Sequence, residues 1–405
     1  MSIIQNKKDI NRLILIFTLT YMVSYITRTN YGAIILEIQD ATGISKSLLS
    51  MALTGSFITY GVGQIISGIC GDKFSPKKLV SLGLLTTVLM NLLIPICPNA
   101  YVMMAVWCVN GFAQAFMWPP MLKMMTILLS SDDYKNAMVK VSWGSSFGTI
   151  TVYLISPLVI MTFSWKFVFW FSALCGIIMI ILWNKFSYNV ESEIKPIQKK
   201  EKANTSGHFF SPLILGIMIA IILQGMLRDG VTTWMPSYIS ETYNLSNIIS
   251  ILTGVVLPIF SILSFQAASN LYRKKFKNPL LCAGVIFATG AFSAFALLIF
   301  TGRTAVLSVL FSALLTGCMH GVNIILICMI PPFFKNQGNV STVSGVLNSC
   351  TYVGSAISTY GIALLSDKFG WNFTLFIWLL ITVLGTFSCL ICVKPWNKKF
   401  QNNNF

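Results

Sequence analysis

Two arginines stand where a membrane-crossing chain has reason to avoid charge. Arg28 lies in "YITRTNYG", between the apolar stretches "LILIFTLTYMVS" and "AIILEI", and Arg228 lies in "LRDGVTTWMPSY". A charged side chain near a bilayer centre costs about 2.5 kcal/mol or more, so each is a candidate functional group. The chemistry on offer is oxyanion binding. Guanidinium stays charged at any physiological pH, and its planar fork matches phosphate or carboxylate oxygens with two parallel donors. The plainer reading is an arginine that snorkels to the interface or pairs with a carboxylate. Arg28 lies about 15 residues, roughly 22 Å, into its helix, so snorkelling to the far face is open to it.

Two titratable residues add to the list. Asp229, next to Arg228, is the one acid of twelve placed deep in an apolar run. It is either a structural partner, to an arginine or to a backbone donor of a neighbouring helix, or a proton carrier poised between burial and a nearby arginine. Successive helical residues point about 100° apart, so Asp229 need not touch a ligand of Arg228. His320, in "GCMHGV", divides the same way: donor to a substrate oxygen, titrating coupling group, or helix-packing side chain.

Such residues need helices to hold them at depth. Of 405 residues, 55% are hydrophobic and 10% charged, where a soluble domain carries about 25% charged residues. This predicts an all-α polytopic membrane protein. Apolar runs of about 20 residues begin near Leu13, Leu48, Leu79, Met103, Val141, Phe167, Leu213, Ile248, Leu280, Ala305, Val343 and Phe373, giving twelve spans. Lys7, Lys8 and Arg12 before the first run resemble a signal-peptide start. The run is long, carries Arg28 and lacks a small-residue cleavage site, so an uncleaved first helix is expected.

With the N-terminus inside, 22 loop Lys and Arg residues fall on the cytoplasmic side and four on the other, and both termini are cytoplasmic. The net charge of +16 is therefore topological, and nucleic acid is not expected as a partner. The ten cysteines sit in or beside apolar runs as small hydrophobes, "CLIC" at Cys389–Cys392 included. No metal or cofactor is expected.

The longest polar stretch, "SYNVESEIKPIQKKEKANTSGHFFSP", reads as a flexible linker, with His208 a solvated loop residue. The division is residues 1–184 as one six-helix bundle, 185–209 as cytoplasmic linker and 210–405 as a second bundle. The halves resemble each other. Arg28 is followed by "GISKSLLS" and Arg228 by "NLSNIIS", while "GICGDKFSPKK" and "QAASNLYRKKFK" place Asp72 and Asn270 at matching points. Duplicated six-helix halves holding substrate near mid-membrane are a transporter architecture.

"G-x-x-x-D-K-x-x-P-K-K", Gly68 to Lys78, resembles the signature of the major facilitator superfamily between its second and third helices. Gly68 allows close helix approach, and Asp72 with Lys73, Lys77 and Lys78 can form ion pairs that lock the cytoplasmic face. Within that superfamily the sequence is similar to the organophosphate:phosphate antiporters. The likeness rests on Tyr21, Tyr25, Arg28 and Asn30 in the first helix and on Tyr60 in the second. It continues with Gly111, Gln114, Trp118, Pro119 and Pro120 in the fourth, Leu227, Arg228, Gly230, Trp234, Pro236 and Tyr238 in the seventh, and Gly345, Tyr352 and Gly354 in the eleventh.

The resemblance implies that Arg28 and Arg228 together bind a phosphoryl group near the pseudo-twofold axis. Two arginines facing one cavity repel, and a dianionic ligand relieves that cost. Tyr21, Tyr25, Tyr60, Gln64, Trp118, Trp143, Phe147, His320 and Tyr352 complete the implied substrate site. Three departures stand out. Gln64 replaces the family's helix-two lysine, Phe147 replaces its helix-five histidine after Trp143, and His320 stands near its helix-ten tyrosine.

The expected function is secondary transport of a small organic anion, a phosphorylated metabolite, by alternating access, either exchanged for phosphate or moved with protons. The alternatives are a membrane sensor of a sugar phosphate and a proton symporter of carboxylates or sugar acids. An enzyme is not expected, since no extramembrane segment carries a nucleophile–base pair, a metal-ligand cluster or a nucleotide loop. A monomer in the cytoplasmic membrane of a bacterium completes the expectation.

Overall fold

A computed structural model describes residues 4–44, 46–188, 211–245, 253, 255–337 and 339–400. Most of the expected linker, His208 included, lies outside the described residues. The first helices are α1 (Lys7–Ala33), α2 (Ile35–Thr42), α3 (Lys46–Lys73), α4 (Pro76–Leu93), α5 (Ala100–Gln114), α6 (Trp118–Leu128), α7 (Ser131–Thr162) and α8 (Trp165–Phe186). After the linker come α9 (Pro212–Tyr243), α10 (Val256–Lys274), α11 (Pro279–Phe300), α12 (Ala305–Asn323) and α13 (Val340–Phe400), the last broken at Gly370 by a left-handed φ of 76°. α12 runs on into a π turn, Ile324–Cys328.

Local sequence starts these helices where they start. Asn6, Asn99, Ser130, Ser211 and Asn278 each accept a backbone N–H from the first turn of α1, α5, α7, α9 and α11. Proline opens α4, α9 and α11, where its missing N–H costs nothing. Among the described residues, ten helices are long and apolar enough to cross a membrane. α10 and the arm of α13 before Gly370 are not among the ten. Both correspond to expected spans, but "FSILSFQAASN" and "VSTVSGVLNSCTYVGSAIS" are rich in Ser, Thr, Asn and Gln.

The chain divides into two compact units: Met1–Glu193 with Phe334–Ser349, and Ile194–Phe333 with Cys350–Phe405. In the first, α3 lies along α5, α1 along α7 and α4 along α8. Its aromatic core is Tyr31, Trp107 and Phe169, with ring centroids 5.1 to 6.1 Å apart. In the second, α12 is flanked by α9, α10 and α11.

Glycine lets the arginine-bearing helix of each unit be approached closely. Any Cβ on Gly144 or Gly148 of α7 would strike the Thr18 or Met22 carbonyl of α1. A Cβ on Gly225 of α9 would strike the Thr351 carbonyl of α13, and one on Gly354 the Ile222 carbonyl. The repeat seen in the sequence thus recurs in helix packing.

Candidate functional site

In the first unit, Arg28 is built into an aromatic surround. Its Cζ lies 4.2 Å from the Tyr25 ring centroid and 4.9 Å from that of Tyr60. Tyr21 stands edge-on to Tyr25 at 5.2 Å and against Trp118 at 4.7 Å. Aromatic faces hold a cation without neutralising it. Five residues singled out from the sequence are therefore brought together.

One residue upstream of Arg28, Thr27 ties α1 to its neighbours. Asn91 Nδ2 and Asn110 Nδ2 donate to the Thr27 carbonyl at 3.1 and 3.2 Å, and Gln114 Nε2 donates to Thr27 Oγ1 at 2.8 Å. Asn30 Nδ2 donates to Asn91 Oδ1 and Ser172 Oγ at 2.8 and 2.9 Å. All six residues are buried, where an unmade polar contact is costly. Sequence reading took Asn30 and Gln114 only as motif positions and missed this network. Its visible trace was a polar residue at matching depth in each of four apolar runs.

Other members of the implied site stand apart from this cluster. Gln64, buried, donates to the Ala115 carbonyl at 3.4 Å and accepts from Asn348 Nδ2 at 3.0 Å. Its amide is engaged in helix-to-helix contact. Trp143 has a buried indole N–H with no acceptor among the described residues. Phe147 is 44% exposed.

In the second unit, Arg228 and Asp229 form a two-pronged pair. Nε donates to Oδ1 at 2.7 Å and Nη2 to Oδ2 at 2.8 Å. Ser355 Oγ also donates to Asp229 Oδ2. Of the roles left open for Asp229, partnership with an arginine is the contact observed, made by the long Arg228 stem folding back across the 100° between neighbouring side chains. The Tyr352 ring lies 5.9 Å from the Arg228 Cζ. His320 packs edge-on to Phe265 at 5.4 Å.

At the C-terminal end of α3, Asp72 accepts the backbone N–H groups of Ser341 and Thr342, at 3.1 and 2.7 Å, at the start of α13. A helix N-terminus offers unpaired N–H donors and partial positive charge, so a carboxylate suits it. Its side-chain cation is Lys123, at 3.5 Å, whose Nζ also donates to the Gly71 carbonyl at 2.8 Å. This corrects the expected pairing with the signature lysines. Lys77 Nζ donates to the carbonyls of Asn184 and Ser187, both at 2.9 Å, and so ties down the end of α8. Lys73 and Lys78 are exposed. The reason is geometric: Lys123 rises one helix away at the level of Asp72, whereas Lys77 and Lys78 have already turned onto α4.

Repeated membrane helices, each repeat carrying an arginine on its first helix, define a multi-pass membrane protein of the transporter class. The sequence model of the Major Facilitator Superfamily matches residues 17–359, and the chain belongs to that superfamily. Among its relatives is the glycerol-3-phosphate transporter of Bacillus subtilis, 24% identical over 87% of this chain and 85% of that one. The probable hexose phosphate transport protein of Chlamydia muridarum is 20% identical over 94% of this chain and 90% of its own length. The membrane sensor protein UhpC of Salmonella typhimurium is 22% identical over 55% of each chain. The solved proton:xylose symporter XylE superposes with a TM-score of 0.75, at 13% identity, over 98% of this chain and 96% of that one. The fold is accordingly the major facilitator fold, twelve helices in two bundles.

Proposed function

We propose that this protein is a secondary active transporter of a small organic anion, a phosphorylated metabolite, working by alternating access. The observation that carries the reading is the pair of arginines on α1 and α9, each set in its own polar or aromatic surround. Arg28 lies over two tyrosine rings, and Arg228 already grips a carboxylate with two parallel donors. A guanidinium that holds two oxygens in that way is equipped for a phosphoryl group. Kinship with transporters of glycerol-3-phosphate and hexose phosphate supports the same chemical class.

In this reading, Tyr21, Tyr25, Tyr60 and Trp118 form the anion-binding surround of Arg28, and Tyr352 and His320 that of Arg228. Trp143 and Phe147 are the more peripheral candidates. Gln64, tied to Ala115 and Asn348, serves helix contact more than ligand contact. Asp72, Lys123 and the start of α13 form a cytoplasmic latch that opens and recloses during the cycle. Residues 1–184 and 210–405 are the two rocking halves of a monomer in a bacterial cytoplasmic membrane, with both termini inside. The protein moves its substrate unchanged and is not an enzyme.

The likeness to a membrane sensor supports a second reading, in which anion binding signals and nothing crosses. Thermal-shift measurement of the purified protein against phosphate, sugar phosphates, phosphonates and sugar acids tests the ligand class. Stabilisation by phosphoryl compounds is expected. Stabilisation by none of them would remove the proposal.

A further inference from the structure

Arg28 lies over two tyrosine rings. Arg228 is held by Asp229 through Nε and Nη2, one oxygen to each nitrogen. That is the geometry by which a guanidinium takes a carboxylate or phosphoryl ligand. The carboxylate sits on the adjacent residue of the same helix, so it is always at hand, in the sense that a tethered group has a high effective concentration. Ser355, from α13, donates to Asp229 Oδ2 and gives that oxygen a second partner.

We propose that Asp229 is a built-in competitor for Arg228 that sets the site's preference for phosphoryl dianions over monocarboxylates. The inference rests on the proposed role of Arg228 as an anion-binding residue. Its physical basis is Coulombic. Asp229 holds the Nε–Nη2 edge of Arg228, so an incoming anion either displaces it or takes the remaining Nη1–Nη2 edge against its negative charge. A monocarboxylate that displaces it offers the arginine the same charge and the same two oxygens it already has. It gains nothing by the exchange and must give up its hydration. A phosphoryl dianion brings twice the charge at the same distance, hence about twice the attraction. The displaced Asp229 keeps Ser355. The pair thus works as a threshold: it excludes small carboxylates, whatever their shape, and admits phosphate esters. An unoccupied arginine would lack that discrimination.

The test uses matched ligands that differ mainly in the anionic group: glycerol 3-phosphate with glycerate, and glucose 6-phosphate with glucuronate. Dissociation constants are measured by calorimetry on purified wild type, Asp229→Asn and Asp229→Ser at neutral pH. Wild type is expected to prefer the phosphoryl member of at least one pair by about tenfold or more. In both variants that preference should shrink by about tenfold, chiefly because the carboxylate binds more tightly. A gain of affinity is a readout that loss of structural support does not produce. An unchanged ratio overturns the proposal. So does parallel loss of both ligands, which would make Asp229 a positioning residue for Arg228, and so does failure of both variants to fold, which would make the pair a folding requirement. If wild type binds none of the four ligands, the reading of Arg228 as an anion site fails first, and the inference with it.

Discussion

At the scale of the residue, the account depends on guanidinium geometry more than on charge. Arg28→Lys and Arg228→Lys keep the positive charge and lose the two-donor fork. Removing a hydrogen bond to a charged group costs about 1.5–3 kcal/mol, roughly a ten- to hundredfold loss of affinity. Binding isotherms for a phosphoryl ligand should register that loss in each variant, while protein levels in the membrane stay near normal. Asn91 makes a different kind of contribution. It donates to the Thr27 and Thr87 carbonyls and accepts from Asn30. Asn91→Leu removes three bonds of the network at once, leaving Thr27 with Asn110 and Asn30 with Ser172, at about 0.5–1.5 kcal/mol for each bond lost. Thermal denaturation should show a clear loss of stability, larger than that of Ser172→Ala, which removes one acceptor of Asn30. Equal melting points for Asn91→Leu and wild type would mean that the network does not hold α1.

At the scale of the element, the sequence was informative about helices and less so about what ties them together. Reading for apolar runs located the spans, although α10 and the first arm of α13 are more polar than the ten helices that are long and apolar enough to cross a membrane. The repeat was legible through Arg28 and Arg228, and the motif positions Tyr21, Tyr25, Tyr60 and Trp118 do gather around Arg28. The partners were not legible, since pairing depends on helix rotation and depth that one-dimensional spacing does not carry. Lys123 reached Asp72 from α6 while Lys77 turned to α8. Gln64 proved to be occupied by Asn348 and Ala115. The Asp72 contact with the first turn of α13 is the element expected to move. Asp72→Asn removes the charge facing Lys123 and the helix N-terminus. It should change the rate of conformational exchange several-fold, with little effect on equilibrium ligand affinity. Parallel measurement of exchange rate and affinity checks this, and a large loss of affinity at an unchanged rate would contradict the assignment.

At the scale of the whole molecule, hydropathy and charge constrain each other. A chain of this hydropathy tolerates a deep arginine only where a surround holds it, and here two different surrounds do so, one in each repeat. Superfamily membership supplies the fold, and the anion-binding role proposed for the arginines narrows the cargo to an oxyanion. Moving that cargo, as opposed to merely sensing it, is the central claim. The most direct measurement is uptake of radiolabelled phosphate into proteoliposomes loaded with unlabelled phosphate, with Arg28→Lys and Arg228→Lys reconstituted in parallel. The account predicts saturable exchange by wild type and little or none by either lysine variant. Uptake no greater than that of protein-free liposomes, or exchange undiminished in both variants, would contradict it.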